Sequence, residues 1–319
     1  MAVAQKTLRE ARIGVVGATG AVGAVTLELL AARGYDNVRA FGSGRSAGSS
    51  VPFGGIALVV EEATPEVLAA GDLDVCLFSV GTSASLELVP HAVRGGALCV
   101  DKSSAYRLER GIPLVVPEVN GARVRDNEGI VANPNCCTIP LTCALKPLHD
   151  AAGLARVRIA TYQSVSGAGV EAMERLRGET AEQHAVRMDW EFDGFEYDEE
   201  SKLRDETRKI MELPELPISA TCVRVPVMVG HSEAVWVETV EPLSPEAARA
   251  LLAAAPGVRV DEVPTPGEAV GGDEVHVSRI RTDTTSENGL ALFVSCDNLR
   301  KGAALNALQI ADLLVGVPA

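Results

Sequence analysis

Apolar residues in the first part of the chain fall in short unbroken runs separated by helical stretches. Arg12–Val16, Val38–Phe41, Ala57–Val60, Asp74–Ser79 and Ala97–Asp101 read as strands buried on both faces. Ala21–Arg33 places Leu27, Leu30 and Ala31 on one helical face, and Pro65–Ala70 and Ala84–Arg94 read as further helices. This alternation predicts an α/β domain with a parallel sheet covered by helices on both faces.

The pattern changes near Asn135. Ala155–Gln163, Ala220–Val229, Glu233–Val240, Val275–Arg281 and Ala291–Ser295 alternate apolar with polar residues. Such alternation marks a sheet with one dry and one wetter face, mostly antiparallel, in an α+β domain. Between these strands Ala168–Glu212 is polar, with a helix expected at Val170–Arg187. Helices are also expected at Thr138–His149 and Arg300–Leu314. The predicted division is a first domain over 1–134 and a second over 135–299, with the helix 300–315 packing back on the first.

Composition narrows the classes. At roughly 150 residues per domain, 319 residues allow two domains. No apolar run approaches the roughly 20 residues of a membrane span, and the N-terminus has no signal-peptide pattern. The excess of acids, 43 Asp and Glu against 29 Lys and Arg, argues against a nucleic-acid surface, which needs clustered positive charge. The seven cysteines include no CxxC pair and no metal-ligand spacing, so no metal site is expected. A reduced, cytoplasmic protein is the plain reading.

Gly17-Ala18-Thr19-Gly20-Ala21-Val22-Gly23 follows the first strand and opens the first helix. Glycines there permit a tight turn and bring a pyrophosphate close to the free N–H groups of a helix N-terminus, as in Rossmann-type dinucleotide domains. The same spacing also suits a tight βα turn with no ligand. An NAD binder usually carries an acid about 20 residues on. Here the stretch holds Ser43, Arg45 and Ser46 and no acid, a set that suits the 2′-phosphate of NADP(H). A solvated loop with an incidental arginine is the alternative.

Cys136 sits between a strand and the helix expected at Thr138–His149. A helix N-terminus stabilises thiolate over thiol, although spacing alone is equally consistent with a buried structural cysteine. On the same footing His231 reads as an ordinary histidine, Arg224 as an exposed or ion-paired residue, and Glu199 with Lys202 as a helical i,i+3 pair.

In order, Gly17–Gly23, Asn133-Pro134-Asn135-Cys136, Gln163–Gly169, Glu199–Lys202, Cys222–Glu233, Arg279–Arg281 and Leu299–Asn306 resemble the aspartate-semialdehyde dehydrogenase family. The resemblance runs from about Ala11 to Leu314. It implies an enzyme that reduces L-aspartyl-4-phosphate with NADPH to L-aspartate 4-semialdehyde and phosphate, reversibly, in the pathway to lysine, methionine, threonine and diaminopimelate. Cys136 then matches the nucleophile that forms a thioacyl intermediate, and His231 the general acid/base, a role suited to imidazole. Gln163 matches the residue orienting the reacting carbonyl, Arg224 the clamp on the substrate α-carboxylate, and Glu199 the acid facing the amino group. Lys202, Arg107 and Asn135 match phosphate-binding groups. Ser166, Gly167 and Asn306 join Gly17, Thr19, Gly20, Ala21, Val22, Gly23, Ser43, Arg45 and Ser46 on the cofactor side. The resemblance also implies a homodimer, with small-molecule substrate and phosphate as partners and neither nucleic acid nor membrane.

The chain departs from the family pattern in three places. Cys137 follows the nucleophile where serine is usual, and Lys102 stands where asparagine is common. The segment between Gly169 and Glu199 is shorter and runs Met188-Asp189-Trp190-Glu191-Phe192-Asp193-Gly194-Phe195-Glu196-Tyr197. The rival readings are a related acyl-phosphate reductase, of the N-acetylglutamyl-phosphate or a specialised-metabolism type, and a noncatalytic NADP-binding protein. Glu199 discriminates the first, since an acetylated amino group calls for no acid.

Overall fold

The computed structural model describes residues 10–178, 190–262 and 265–316. The chain divides into two compact units, Met1–Pro134 with Ala303–Ala319, and Asn135–Gly302.

The first unit contains β1 (Ile13–Val16), α1 (Ala21–Ala32), β2 (Val38–Gly42), β3 (Ser50–Phe53), β4 (Ile56–Glu62), α2 (Pro65–Leu68), β5 (Val75–Phe78), α3 (Thr82–Arg94), β6 (Leu98–Asp101), α4 (Pro117–Asn120) and β7 (Ile130–Ala132). Its seven strands lie in the order β3-β4-β2-β1-β5-β6-β7. All neighbours are parallel except β3 against β4. Every residue of β1 and β5 is buried, as continuous apolar runs in a two-sided sheet require. The edge strand β3 and the three-residue β7 are too short and too weakly patterned to read from the sequence. The C-terminal helix, Leu305–Leu314, returns to this unit and buries Leu305, Leu308 and Ile310 in its core. Its Asp312, 6% exposed, accepts from the hydroxyl of buried Tyr35 and from Arg33.

The second unit contains α5 (Thr138–Ala152), β8 (Leu154–Gln163), α6 (Val170–Gly178), α7 (Asp198–Met211), β9 (Ile218–Arg224), β10 (His231–Thr239), α8 (Pro245–Ala254), β11 (Val258–Val260), α9 (Pro266–Ala269), β12 (Val275–Thr282) and β13 (Gly289–Cys296). Its six strands run β11-β12-β13-β10-β8-β9. The three central pairings are antiparallel, while β8 with β9 and β11 with β12 are parallel. On β10, His231, Glu233, Val235, Val237 and Thr239 are buried in alternation with partly exposed Ala234, Trp236 and Glu238. The buried face is covered by α5, whose Ile139, Leu141, Leu145 and Leu148 are fully enclosed.

Two expected boundaries are corrected, and a third is seen only in part. The strand expected at Ala220–Val229 stops at Arg224, because Pro226 lacks the N–H that a ladder needs; the turn it begins delivers His231 to the start of β10. The helix expected over Arg300–Leu314 opens with a π-turn at Arg300–Ala304. The helix expected at Val170–Arg187 is seen as Val170–Gly178, and the rest lies outside the described residues. No helix among the described residues is long and apolar enough to cross a membrane.

Replacing Tyr35 by Phe leaves a buried carboxylate oxygen of Asp312 without its donor, at a cost of about 1–3 kcal/mol. Urea denaturation monitored by circular dichroism is expected to show that loss; an unchanged midpoint would mean that this bond does not anchor the returning helix.

Candidate active site

Cys136 lies just before α5, with its sulfur 3.2 Å from Nε2 of His231. The far nitrogen, Nδ1, faces the backbone N–H of Ser164 at 3.0 Å. Ser164 Oγ lies equally close to Nδ1, at 3.0 Å; the N–H contact, in which Nδ1 can only accept, is met when the ring hydrogen sits on Nε2, pointing at the sulfur. Cys136 is held well below the ordinary thiol range. The adjoining Cys137 thiol is the largest cause, donating to the sulfur; His231 and Arg224 add to it, and burial opposes them. Cys137 is fully buried, and burial together with the neighbouring thiolate pushes its own thiol up. The two cysteines therefore divide the roles: one sulfur holds the charge and the other holds the proton.

A second network surrounds this pair. The Asn135 side chain donates to Glu199 at 2.8 Å and accepts from the Cys137 N–H at 2.8 Å, while its own N–H donates to Glu206 at 2.6 Å. Gln163 donates to Glu199 at 3.1 Å, and its oxygen faces Arg224 Nη1 at 3.4 Å. Arg224 Nη1 also donates to the Ser164 carbonyl at 2.9 Å. Asn135, Gln163, Glu199 and Arg224 are all buried and lie within one unit with Cys136 and His231. Burial pushes the Glu199 carboxyl up, aided by the Cys136 charge and resisted by the Asn135 and Gln163 donors. A Cβ on Gly167 would stand 3.0 Å from Arg224 Nη1 and 3.2 Å from His231 Nε2, so a side chain there would crowd both.

Several expected contacts differ. Lys202 pairs with Asp198 one turn earlier in α7 rather than with Glu199. Glu199 turns inward, and this removes the i,i+3 reading. The Asn135 side chain is engaged with Glu199 and the Cys137 N–H. Asn298 was not singled out, although it stands one residue before the Leu299–Asn306 motif. Its amide oxygen accepts from Gly230 N–H, Ser164 Oγ and Ser166 Oγ, tying the turn before His231 to the Ser164–Gly167 loop. Glu206 and Glu233 were also missed, because an acid on an amphipathic helix or strand ordinarily reads as a solvated position. Cys136, Cys137 and His231 place three potential metal donors within 4.8 Å of one another, a grouping that spacing along the chain could not reveal.

In the first unit, Gly17 has φ +86°, and a Cβ there would lie 2.4 Å from the Ser79 carbonyl. A Cβ on Gly23 would lie 2.1 Å from the Gly17 carbonyl. Only glycine permits this turn, which opens α1 with no side-chain cap and no acid in the first turn. The buried Ser79 Oγ beside it has no hydrogen-bond partner. Free helix N–H groups and an unanswered hydroxyl fit the pyrophosphate of a dinucleotide. Thr19 and Arg45 are exposed, and Ser43 accepts from Ser46 within the next loop. The sheet brings Glu62, at the end of β4, against this loop: a Cβ on Gly44 would stand 2.8 Å from its carboxylate. Asn306 is fully buried, donating to the Val115 carbonyl and to Asn133. Arg107 donates to the carbonyls of Asn133 and Lys102.

Family models of the semialdehyde dehydrogenase NAD-binding domain and dimerisation domain match residues 12–127 and 145–193 with 189–301. The chain is 43% identical to the aspartate-semialdehyde dehydrogenase of Streptomyces akiyoshiensis, over 95% of this chain and 98% of the relative. It superposes with a TM-score of 0.90 on aspartate semialdehyde dehydrogenase II of Vibrio cholerae complexed with ASA, at 39% identity over 95% of this chain and 97% of that one. The Candida albicans enzyme with NADP matches with a TM-score of 0.76 at 26% identity, over 95% of this chain and 97% of that one. A thiolate–imidazole pair and a dinucleotide turn, carried on domains that match from end to end, place the chain in one family: it belongs to the aspartate-semialdehyde dehydrogenases.

Proposed function

We propose that the chain reduces L-aspartyl-4-phosphate to L-aspartate 4-semialdehyde, reversibly, with NADP(H) as cofactor and Cys136 as nucleophile. The observation that carries this reading is the 3.2 Å approach of His231 Nε2 to the Cys136 sulfur, with Nδ1 committed to Ser164.

The Cys136 thiolate adds to the acyl-phosphate carbon, and the tetrahedral centre collapses by breaking the C–O bond to phosphate, leaving a thioester on Cys136. His231 Nε2–H donates a hydrogen bond to the departing phosphate oxygen, and the proton that the released phosphate takes up comes from solvent. Reduced nicotinamide, when bound, supplies the hydride that converts the thioester to the aldehyde. Collapse of that second tetrahedral centre returns the electrons of the C–S bond to Cys136 as thiolate, the form that its surroundings favour. Arg224 grips the α-carboxylate and Glu199 receives the amino group, which favours an unblocked aspartyl substrate over an N-acetylated one. The phosphate roles of Arg107, Lys202 and Asn135 and the cofactor roles of Thr19, Ser166, Gly167 and Asn306 rest on the family resemblance. The preference for NADP(H) rests on Ser43, Arg45 and Ser46 and is supported by the Candida relative.

We also read the chain as a homodimer through its second unit. The family model there is a dimerisation domain, and the sheet face opposite α5 presents Tyr162, Trp236 and Phe293 around a groove of about 580 Å³.

Purified protein with aspartate semialdehyde, phosphate and NADP⁺ is expected to generate the absorbance of NADPH, and Cys136→Ala to abolish it. Turnover only on an N-blocked or longer aldehyde would overturn the substrate and keep the chemistry. Because the Cys136 pKa is lowered, its thiolate is lost only as pH falls through that lowered value. Iodoacetamide labelling of Cys136 is therefore expected to change less than about twofold from pH 8.5 to 7, where an unperturbed thiol slows more than about tenfold. Parallel loss at both sulfurs would refute the activation described. Arg45→Ala is expected to lower kcat/KM for NADP⁺ by about tenfold and for NAD⁺ by less than about threefold; equal losses would remove Arg45 from 2′-phosphate recognition.

A further inference from the structure

The segment that departs from the family pattern ends in a small ribbon joined to α7. Phe192 bridges Tyr197, the Asp198 N–H donates to the Glu191 carbonyl at 2.9 Å, and the Phe192 and Tyr197 rings pack 5.1 Å apart. Asp193 closes the turn by accepting from the Phe195 and Glu196 N–H groups at 2.8 Å, and Glu196 is paired with Arg204 of α7. At the start of this ribbon the Trp190 indole lies over the Arg224 guanidinium, 4.7 Å from carbon to ring centre.

Arg224 is thus held in two ways. Nη1 is bonded in its plane to the Ser164 carbonyl and faces the Gln163 oxygen, and one face of the plane carries the indole. Arg224 is only 5% exposed, so the indole acts where water screens little, the setting in which cation–π contacts are strongest. A stacked ring leaves the N–H groups in the guanidinium plane directed outward, and those are the groups that grip a carboxylate through two parallel bonds.

We propose that Trp190 is a positioning residue for carboxylate recognition, fixing the plane of Arg224 so that a free, unblocked carboxylate is received edge-on. This rests on the reading of Arg224 as the clamp. Trp190 acts through Arg224, so its effect falls on substrate binding and not on the chemical step.

The test compares Trp190→Ala, Trp190→Leu and Trp190→Phe in the full-length protein. Removing the aromatic face is expected to raise KM for aspartate semialdehyde about tenfold in the Ala and Leu variants. The Phe variant is expected to stay within about threefold. In all three, kcat and the KM values for phosphate and NADP⁺ are expected to change less than about threefold, because no group that reacts is altered. A second readout needs no turnover. Phenylglyoxal modification of Arg224, followed by peptide mass mapping, is expected to speed up several-fold in the Ala variant and little in the Phe variant. Unchanged KM and unchanged modification in Trp190→Ala would overturn the proposal, as would a loss confined to kcat. If the wild-type protein ignores aspartate semialdehyde but Trp190→Ala still exposes Arg224 to phenylglyoxal, the substrate assignment falls and the positioning role stands.

Discussion

The active site depends on one backbone hydrogen bond, from the Ser164 N–H to Nδ1 of His231. A main-chain N–H cannot exchange donor for acceptor, so it favours the ring hydrogen on the nitrogen that faces Cys136. The imidazole then supports a thiolate by donating a hydrogen bond to the sulfur. Much of the surrounding structure serves the placement of Ser164. Asn298 ties Ser164 and Ser166 to Gly230, and the end of β9 at Arg224 frees the turn that returns at His231.

The division into parallel and mostly antiparallel sheets was legible because strand burial writes itself into composition. Continuous apolar runs mark β1 and β5, and alternation of more and less buried positions over most of their length marks β8 and β10. The residues of the chemistry were legible as a family pattern and not as physics. Cys136 and His231 are far apart in the chain, and nothing in either local sequence says that β10 and the turn before α5 bring them to 3.2 Å. What stayed hidden was the polar support. Glu206, Asn298 and Glu233 act through tertiary contacts, and their sequence surroundings match those of solvent-facing residues. The strand expected through Val229 went wrong for a local reason that was visible, Pro226 in the middle of the alternation.

Glu233 shows how closely the charge of the site is balanced. It lies two residues after His231 on the same buried face, fully enclosed, and neither carboxylate oxygen has a hydrogen-bond partner at normal geometry. Burial, and then the Cys136 charge, push its carboxyl well above the usual range, with the Cys137 thiol offsetting part of that. Such a setting favours the neutral, protonated carboxyl over the charged one. That direction matters for Cys136, because a second negative charge in so dry a place would drive the proton back onto its sulfur. Glu199 is pushed in the same direction and is met instead by amide donors from Asn135 and Gln163. The same low dielectric thus has opposite consequences for two carboxyls on neighbouring elements. Glu199 is met by two amide donors; Glu233, met by none at normal geometry, is pushed toward the neutral form, and the one sulfur with both a thiol and an imidazole donor is pushed toward the charged one.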